Sequence, residues 1–138
     1  KGVKNDIDRV FAASLILPSV KYVSESLGVG KQKALFENAK ENIVLNGTPD
    51  IDVRLGGAEA IKESDSFDFV IANINRNILL MDMHNYVRCM HPGSQIFISG
   101  FYTDDMEILK AEAARHGLRY ESFAEDNRWA MMRFVKEI

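Results

Sequence analysis

Two short amides, Asn73 and Asn75, close the stretch around which this chain is organised. It reads Phe67-Asp68-Phe69-Val70-Ile71-Ala72-Asn73-Ile74-Asn75-Arg76-Asn77-Ile78-Leu79-Leu80. An unbroken apolar run follows the acid and stops at the amides, and apolar residues then return at helical spacing. Such a run suits a strand buried on both faces of a parallel sheet. Ligands of open α/β sheets bind beyond the carboxyl ends of the strands, which is where Asn73 and Asn75 fall. The plainer alternative is that Asn73 caps the following helix or braces a turn. Other chemistry is thinner. His84, His91 and His116 lie on or at the ends of expected helices, and no spacing joins them into a metal site, so no metal is expected. Cys89 has no histidine placed to activate it and reads as a small core residue. Gly28-Val29-Gly30-Lys31 fails as a phosphate-binding loop, because Glu25 stands where its first glycine belongs and Gln32 replaces the hydroxyl residue.

The totals set outer limits. A chain of 138 residues, 46% of them hydrophobic, can bury one core and is expected to form one domain over residues 1–138. A net charge of −3 argues against a direct nucleic-acid partner while leaving room for a basic protein partner. The lone Cys89 fits a reducing cytoplasm. No apolar run approaches the roughly 20 residues needed to cross a bilayer, so no membrane association is expected. The chain opens on Lys1 rather than Met, as a piece of something longer would.

The elements that must position the amides follow from period and punctuation. Val10 to Leu17, closed by Pro18, reads as a helix, Val20 to Leu27 as a weak strand, and Gly28 to Gly30 as a loop. Lys31 to Leu45 is a helix stopped by Asn46-Gly47. Ile51 to Leu55 alternates as a strand and leads into Gly56-Gly57-Ala58-Glu59. After the central strand, Asn77 to Met90 carries an apolar stripe of Leu79, Leu80, Met83, Val87 and Met90. Gln95 to Ser99 is a second buried strand, ending in a loop over Gly100 to Thr103. Acids at Asp104, Asp105 and Glu107 open the next helix. Leu118 to Phe123 and Trp129 to Lys136 are strands about a hairpin turn at Glu125-Asp126-Asn127, with Trp129 read as packing on the edge. Strands alternating with helices predict a mostly parallel sheet, and the terminal hairpin forces one strand antiparallel.

Several separated segments go further. Glu37-Asn38-Ala39-Lys40-Glu41-Asn42-Ile43-Val44-Leu45-Asn46-Gly47 resembles the helix after the second strand of class I S-adenosylmethionine-dependent methyltransferases. Val70 to Leu80, then Ser99-Gly100-Phe101-Tyr102, then Asn127-Arg128-Trp129-Ala130, closely resemble the ribosomal protein L-eleven methyltransferase family, in order, across roughly residues 33–138. The resemblance implies a Rossmann-like α/β fold, S-adenosylmethionine as cofactor, and methyl transfer to amino groups of a large-subunit ribosomal protein. That family carries a separate N-terminal recognition domain, to which nothing here corresponds. Its first motif, Gly-x-Gly-x-Gly, should fall near residues 2–10, which read Gly-Val-Lys-Asn-Asp-Ile-Asp-Arg-Val.

Methyl transfer from a sulfonium to an amine is an in-line displacement that asks mainly for positioning. Acceptors must bind the amine's hydrogens and aim its lone pair, and the Asn73 side chain with the Ile74 carbonyl is expected to supply them. By the resemblance Asn73 also lies against the cofactor. Gly57, Ala58 and Glu59 would hold the adenine, although an ordinary turn explains them equally, and Gly28 and Gly30 are further cofactor candidates. Asn75, Ser99 and Phe101 are expected to contact substrate; packing at a glycine turn accounts for the last two about as well. Asp68 reads as a solvated acid at a strand start. The alternative function is a binding or scaffold module that kept the fold and lost the cofactor loop.

Overall fold

The computed structural model describes residues 10–13, 29–49, 51–54 and 58–137. The chain divides into two compact units, Lys1–Ser14 with Ile61–Ile138, and Leu15–Ala60. The larger contains β1 (Val10–Ala13), β2 (Phe67–Asn73), α2 (Arg76–Arg88), β3 (Met90–Tyr102), α3 (Met106–Arg115), β4 (Leu118–Asp126) and β5 (Trp129–Lys136). The smaller contains α1 (Val29–Leu45) and a 3-10 turn over Ala58–Ala60.

The sheet is mixed, with strand order β1-β2-β3-β5-β4. β1 and β2 pair in parallel, as do β2 and β3, while β5 runs antiparallel to both β3 and β4. The expected parallel character therefore holds across β1–β3, and β5 reverses direction because it follows β4 through a two-residue turn. One face carries the core. Val70 and Ala72 of β2, Ile96, Ile98 and Phe101 of β3, and Ala130, Met132 and Phe134 of β5 are buried there. Ile78, Leu79, Met83 and Tyr86 of α2 and Met106, Leu109 and Ala113 of α3 are buried too, the two helices packing on each other and on the sheet. Each large apolar side chain so buried contributes about 1.5–3 kcal/mol.

Several expectations are corrected. Val10–Ala13 is a strand rather than the start of a helix; a short apolar run has no period of its own, and its backbone finds partners along β2, from Val10↔Phe69 to Ala13↔Ala72. The strand expected at 20–27 lies outside the described residues. The loop expected at 28–30 gives way to α1, which begins at Val29 and takes Gly30 into its first turn. Residues 51–54 form no strand; Arg54 instead reaches Asp52 Oδ2 at 3.0 Å and the Ala60 carbonyl at 3.0 Å. β3 continues through Tyr102, where a loop was expected from Gly100 onward. The hairpin turns at Asn127 and Arg128, with φ of 51° and 71°, rather than at Glu125 to Asn127. Two consecutive left-handed residues give the twist that a two-residue hairpin needs.

Candidate functional site at the carboxyl ends of two strands

β2 ends at Asn73, opposite Ser99 of β3. Alternation puts Val70 and Ala72 in the core and turns Asn73 to the other face, where it is exposed. The Ser99 hydroxyl donates to Asn73 Oδ1 at 3.2 Å, fixing the amide with its oxygen toward β3. One residue on, the Ile74 N–H donates to the Ser99 carbonyl at 2.9 Å. Ile74 is 1% exposed, and its carbonyl accepts no hydrogen bond from any described residue. Buried carbonyls are ordinarily satisfied, so an acceptor with no partner among the described residues, one position along the chain from the Asn73 amide, is the feature that matters here.

Asn75 starts α2. Its side-chain oxygen accepts from the Ile78 N–H at 3.1 Å, so the second amide, not the first, is the helix cap. Asn75 borders a different hollow from Asn73. Gly100, at φ +94°, is the extra residue of a bulge: Ser99 pairs with Met131 and Phe101 with Ala130. A Cβ on Gly100 would stand 2.7 Å from the Ile74 oxygen and 2.9 Å from its nitrogen, so only glycine lets the two backbones approach this closely.

Two hollows open at this rim. One, of about 410 Å³, is lined by residues including Asn73, Ser99, Gly100, Trp129 and Met131. The other, of about 380 Å³, is lined by residues including Asn75, Arg76, Phe101, Tyr102 and Trp129. Trp129 borders both. It is half exposed and stacks on Tyr102 with ring centroids 4.3 Å apart, so the packing role expected for it is incomplete. Nothing in the sequence distance between residues 102 and 129 announced the pair; the hairpin brings it about. Arg128 lies over the Tyr102 ring at 5.2 Å, bonds Asp104 at 3.2 Å, and its carbonyl receives the Thr103 N–H at 2.8 Å. Arg76 ties the start of α2 to Asp105 at 3.1 Å.

The remaining candidates separate. Ser99 sits in the first hollow beside Asn73, while Phe101 is 2% exposed and borders the second. Gly28 and Gly57 lie outside the described residues, and Gly30, Ala58 and Glu59 belong to the smaller unit, where Ala58 is buried and Glu59 exposed. Asp68 is not a solvated acid: its carboxylate meets His91 Nε2 at 2.7 Å. Cys89 is buried and its thiol donates to the Tyr86 carbonyl; burial first, then the Asp65 carboxylate, push its pKa up to about 11. A thiol so held is not a nucleophile. Among the described residues no group of side chains could hold a metal ion, and no helix is long and apolar enough to cross a membrane.

Comparison with known proteins supplies the fold and the family. The structure resembles the crystal structure of a ribosomal protein L11 methylase from Lactobacillus delbrueckii subsp. bulgaricus, with a TM-score of 0.71 at 17% identity, covering 94% of this chain and 70% of that one. A methyltransferase from Pyrococcus furiosus aligns at 0.67 and 15% identity, over 94% and 75%. These likenesses establish the Rossmann-like class I methyltransferase fold. In sequence the chain is 56% identical to a ribosomal protein L11 methyltransferase of Bacteroides fragilis over 98 residues, 71% of this chain and 35% of that protein. It is 50% identical to one of Bacteroides thetaiotaomicron over 120 residues, 87% of this chain and 43% of that protein. The chain thus spans less than half the length of these relatives. Residues 20–137 match the family model described as Ribosomal protein L11 methyltransferase (PrmA), and the chain belongs to that family.

Proposed function

We propose that this chain is the catalytic part of an S-adenosylmethionine-dependent methyltransferase acting on amino groups of ribosomal protein L11, in the cytoplasm. The single observation that carries the reading is the pair of acceptors at the end of β2. The Asn73 amide oxygen keeps a lone pair beyond the one given to Ser99, and the Ile74 carbonyl accepts from none of the described residues. Asn73 lines a hollow at the strand end, where an α/β sheet places its ligands, and Ile74 is the next residue in the chain. Two acceptors side by side bind two hydrogens of an amine and leave its lone pair aimed along a third direction.

S-adenosylmethionine, when bound, supplies an electrophilic methyl group on a sulfonium. The hollow beside Asn73 lies within the roughly 300–1,000 Å³ of small-molecule sites. Trp129 and Met131 give it apolar walls, and loss of water on binding would lower the pKa of an amine from its usual value of about 10.4. Asn73 is the residue we assign to orient the amine and to touch the cofactor, with Ser99 at its side. Gly28, Gly30, Gly57, Ala58 and Glu59 stand as cofactor contacts, and Asn75 and Phe101 as substrate contacts, on the family resemblance alone.

Titration of the purified chain with S-adenosylhomocysteine, followed by melting temperature, tests the reading. At a hundred times the dissociation constant, binding should stabilise the fold by about 2.7 kcal/mol. An unmoved melting curve at millimolar ligand would favour a scaffold module that kept the fold and lost the cofactor.

A further inference from the structure

We infer that the Ser99-Gly100 step of β3 is a positioning element for the two acceptors, acting through Asn73 and Ile74 without itself touching the amine; this rests on the function proposed above. Three contacts converge on adjacent peptide units. The Ser99 hydroxyl holds Asn73 Oδ1 at 3.2 Å, the Ser99 carbonyl holds the Ile74 N–H at 2.9 Å, and Gly100 presents only hydrogen to the Ile74 carbonyl. The first sets the rotation of the amide. The second fixes the plane of the Asn73–Ile74 peptide. The third decides how near β3 comes, because a methyl group at residue 100 would stand 2.7 Å from the Ile74 oxygen, inside any real contact distance.

The neighbour at that point is backbone, not the tip of a side chain, and cannot swing aside. A larger residue must push β3 away from β2 at their carboxyl ends, widening the separation on which amine geometry depends. The bulge at Gly100 is where β3 gives way most easily, since its register with β5 already shifts between Ser99 and Phe101. The displacement would stay at the rim, while the buried pairs Val70↔Ile96 and Ala72↔Ile98 keep their places.

Two substitutions and two controls test this. Gly93 and Gly117 share the left-handed backbone, at φ +92° and +76°, but a Cβ at either meets nothing within 4 Å. G93A and G117A therefore suffer the backbone strain of G100A without its collision. Methyl transfer to a lysine-containing peptide, measured well below each variant's melting temperature, should leave kcat of both controls unchanged and lower kcat of G100A on the order of 100-fold. The KM for S-adenosylmethionine should change little. S99A creates no clash and should fold normally, with kcat down about tenfold for the lost hydrogen bond, and S99T should restore it. If G100A does not fold, S99A and its rescue decide. Wild-type kcat in S99A and G100A, with N73A inactive, would overturn this inference and leave the proposed function standing. Wild-type kcat in N73A as well would remove both.

Discussion

The parallel pair of β2 and β3 has two ends, both polar, and they behave oppositely. At the amino end nearly every polar group has a local partner. Asp68 meets His91 Nε2 at 2.7 Å, His91 Nδ1 lies 2.9 Å from the Pro92 carbonyl, and the His91 N–H donates to Ser94 Oγ at 3.0 Å. Ser94 in turn donates to the Phe67 carbonyl at 2.7 Å, and Lys136 covers the Met90 carbonyl at 2.8 Å. At the carboxyl end the Ile74 carbonyl accepts from none of the described residues, and a hollow lined by Asn73 and Ser99 opens there. A histidine touching a carboxylate looks more like chemistry than an asparagine touching a serine. The better satisfied end is nonetheless the one that closes the sheet, because a network bonded within itself has little to offer a ligand. An acceptor without a partner among the described residues, rather than the density of titratable side chains, is what marks the carboxyl end for the function proposed here.

Three substitutions would break or sharpen that contrast. The largest effect is expected at the carboxyl end: Asn73→Ala, an exposed position, should cut the rate of methyl transfer on the order of 100-fold or more in a single-turnover assay while the melting temperature stays put. An unchanged rate would take Asn73 out of the mechanism. At the amino end the expected loss is of stability and not of rate. Ser94 is 1% exposed, and Ser94→Ala removes both its bond to the Phe67 carbonyl and its bond from the His91 N–H, at a cost of about 1–3 kcal/mol by urea denaturation. A fall in kcat without that destabilisation would mean that the two ends had been assigned the wrong way round.

The smallest effect is a slope against pH. The folded protein holds the Cys89 proton more tightly than the unfolded chain does, since burial lifts its pKa from an ordinary 9.0 to about 11. The stability this confers is therefore full below pH 9 and lost as pH rises toward about 11. Cys89→Ala should flatten that part of the curve relative to the wild type, and equal slopes would show that the thiol does not titrate there.

How much of this could be read beforehand depended on whether a residue's meaning was local. The helices at α1, α2 and α3 followed from period and stop signals, and the hairpin strands from alternation. Asn73 was reached through the run that precedes it and the family resemblance. Val10–Ala13 was misread because four apolar residues take their structure from the strand beside them. Asp68 was misread because its partner lies 23 residues away. The turn slipped to Asn127 and Arg128 because an arginine at positive φ has no propensity to advertise it; the Tyr102 ring, Asp104 and the Thr103 N–H hold it there. The contact of the Ile74 carbonyl with Gly100 exists only once the strands are side by side.

The bulge at Gly100 also keeps count for the strand. Up to Ser99 the even-numbered residues Ile96 and Ile98 face the helices; past the bulge the odd-numbered Phe101 does, and Tyr102 points outward. One supernumerary residue resets the parity, so the serine can be offered to Asn73 while the phenylalanine two places on still enters the core. Straightening the bulge with Gly100 kept in the ladder would turn the strand's last aromatic pair inside out, with Tyr102 driven toward the helices and Phe101 into water.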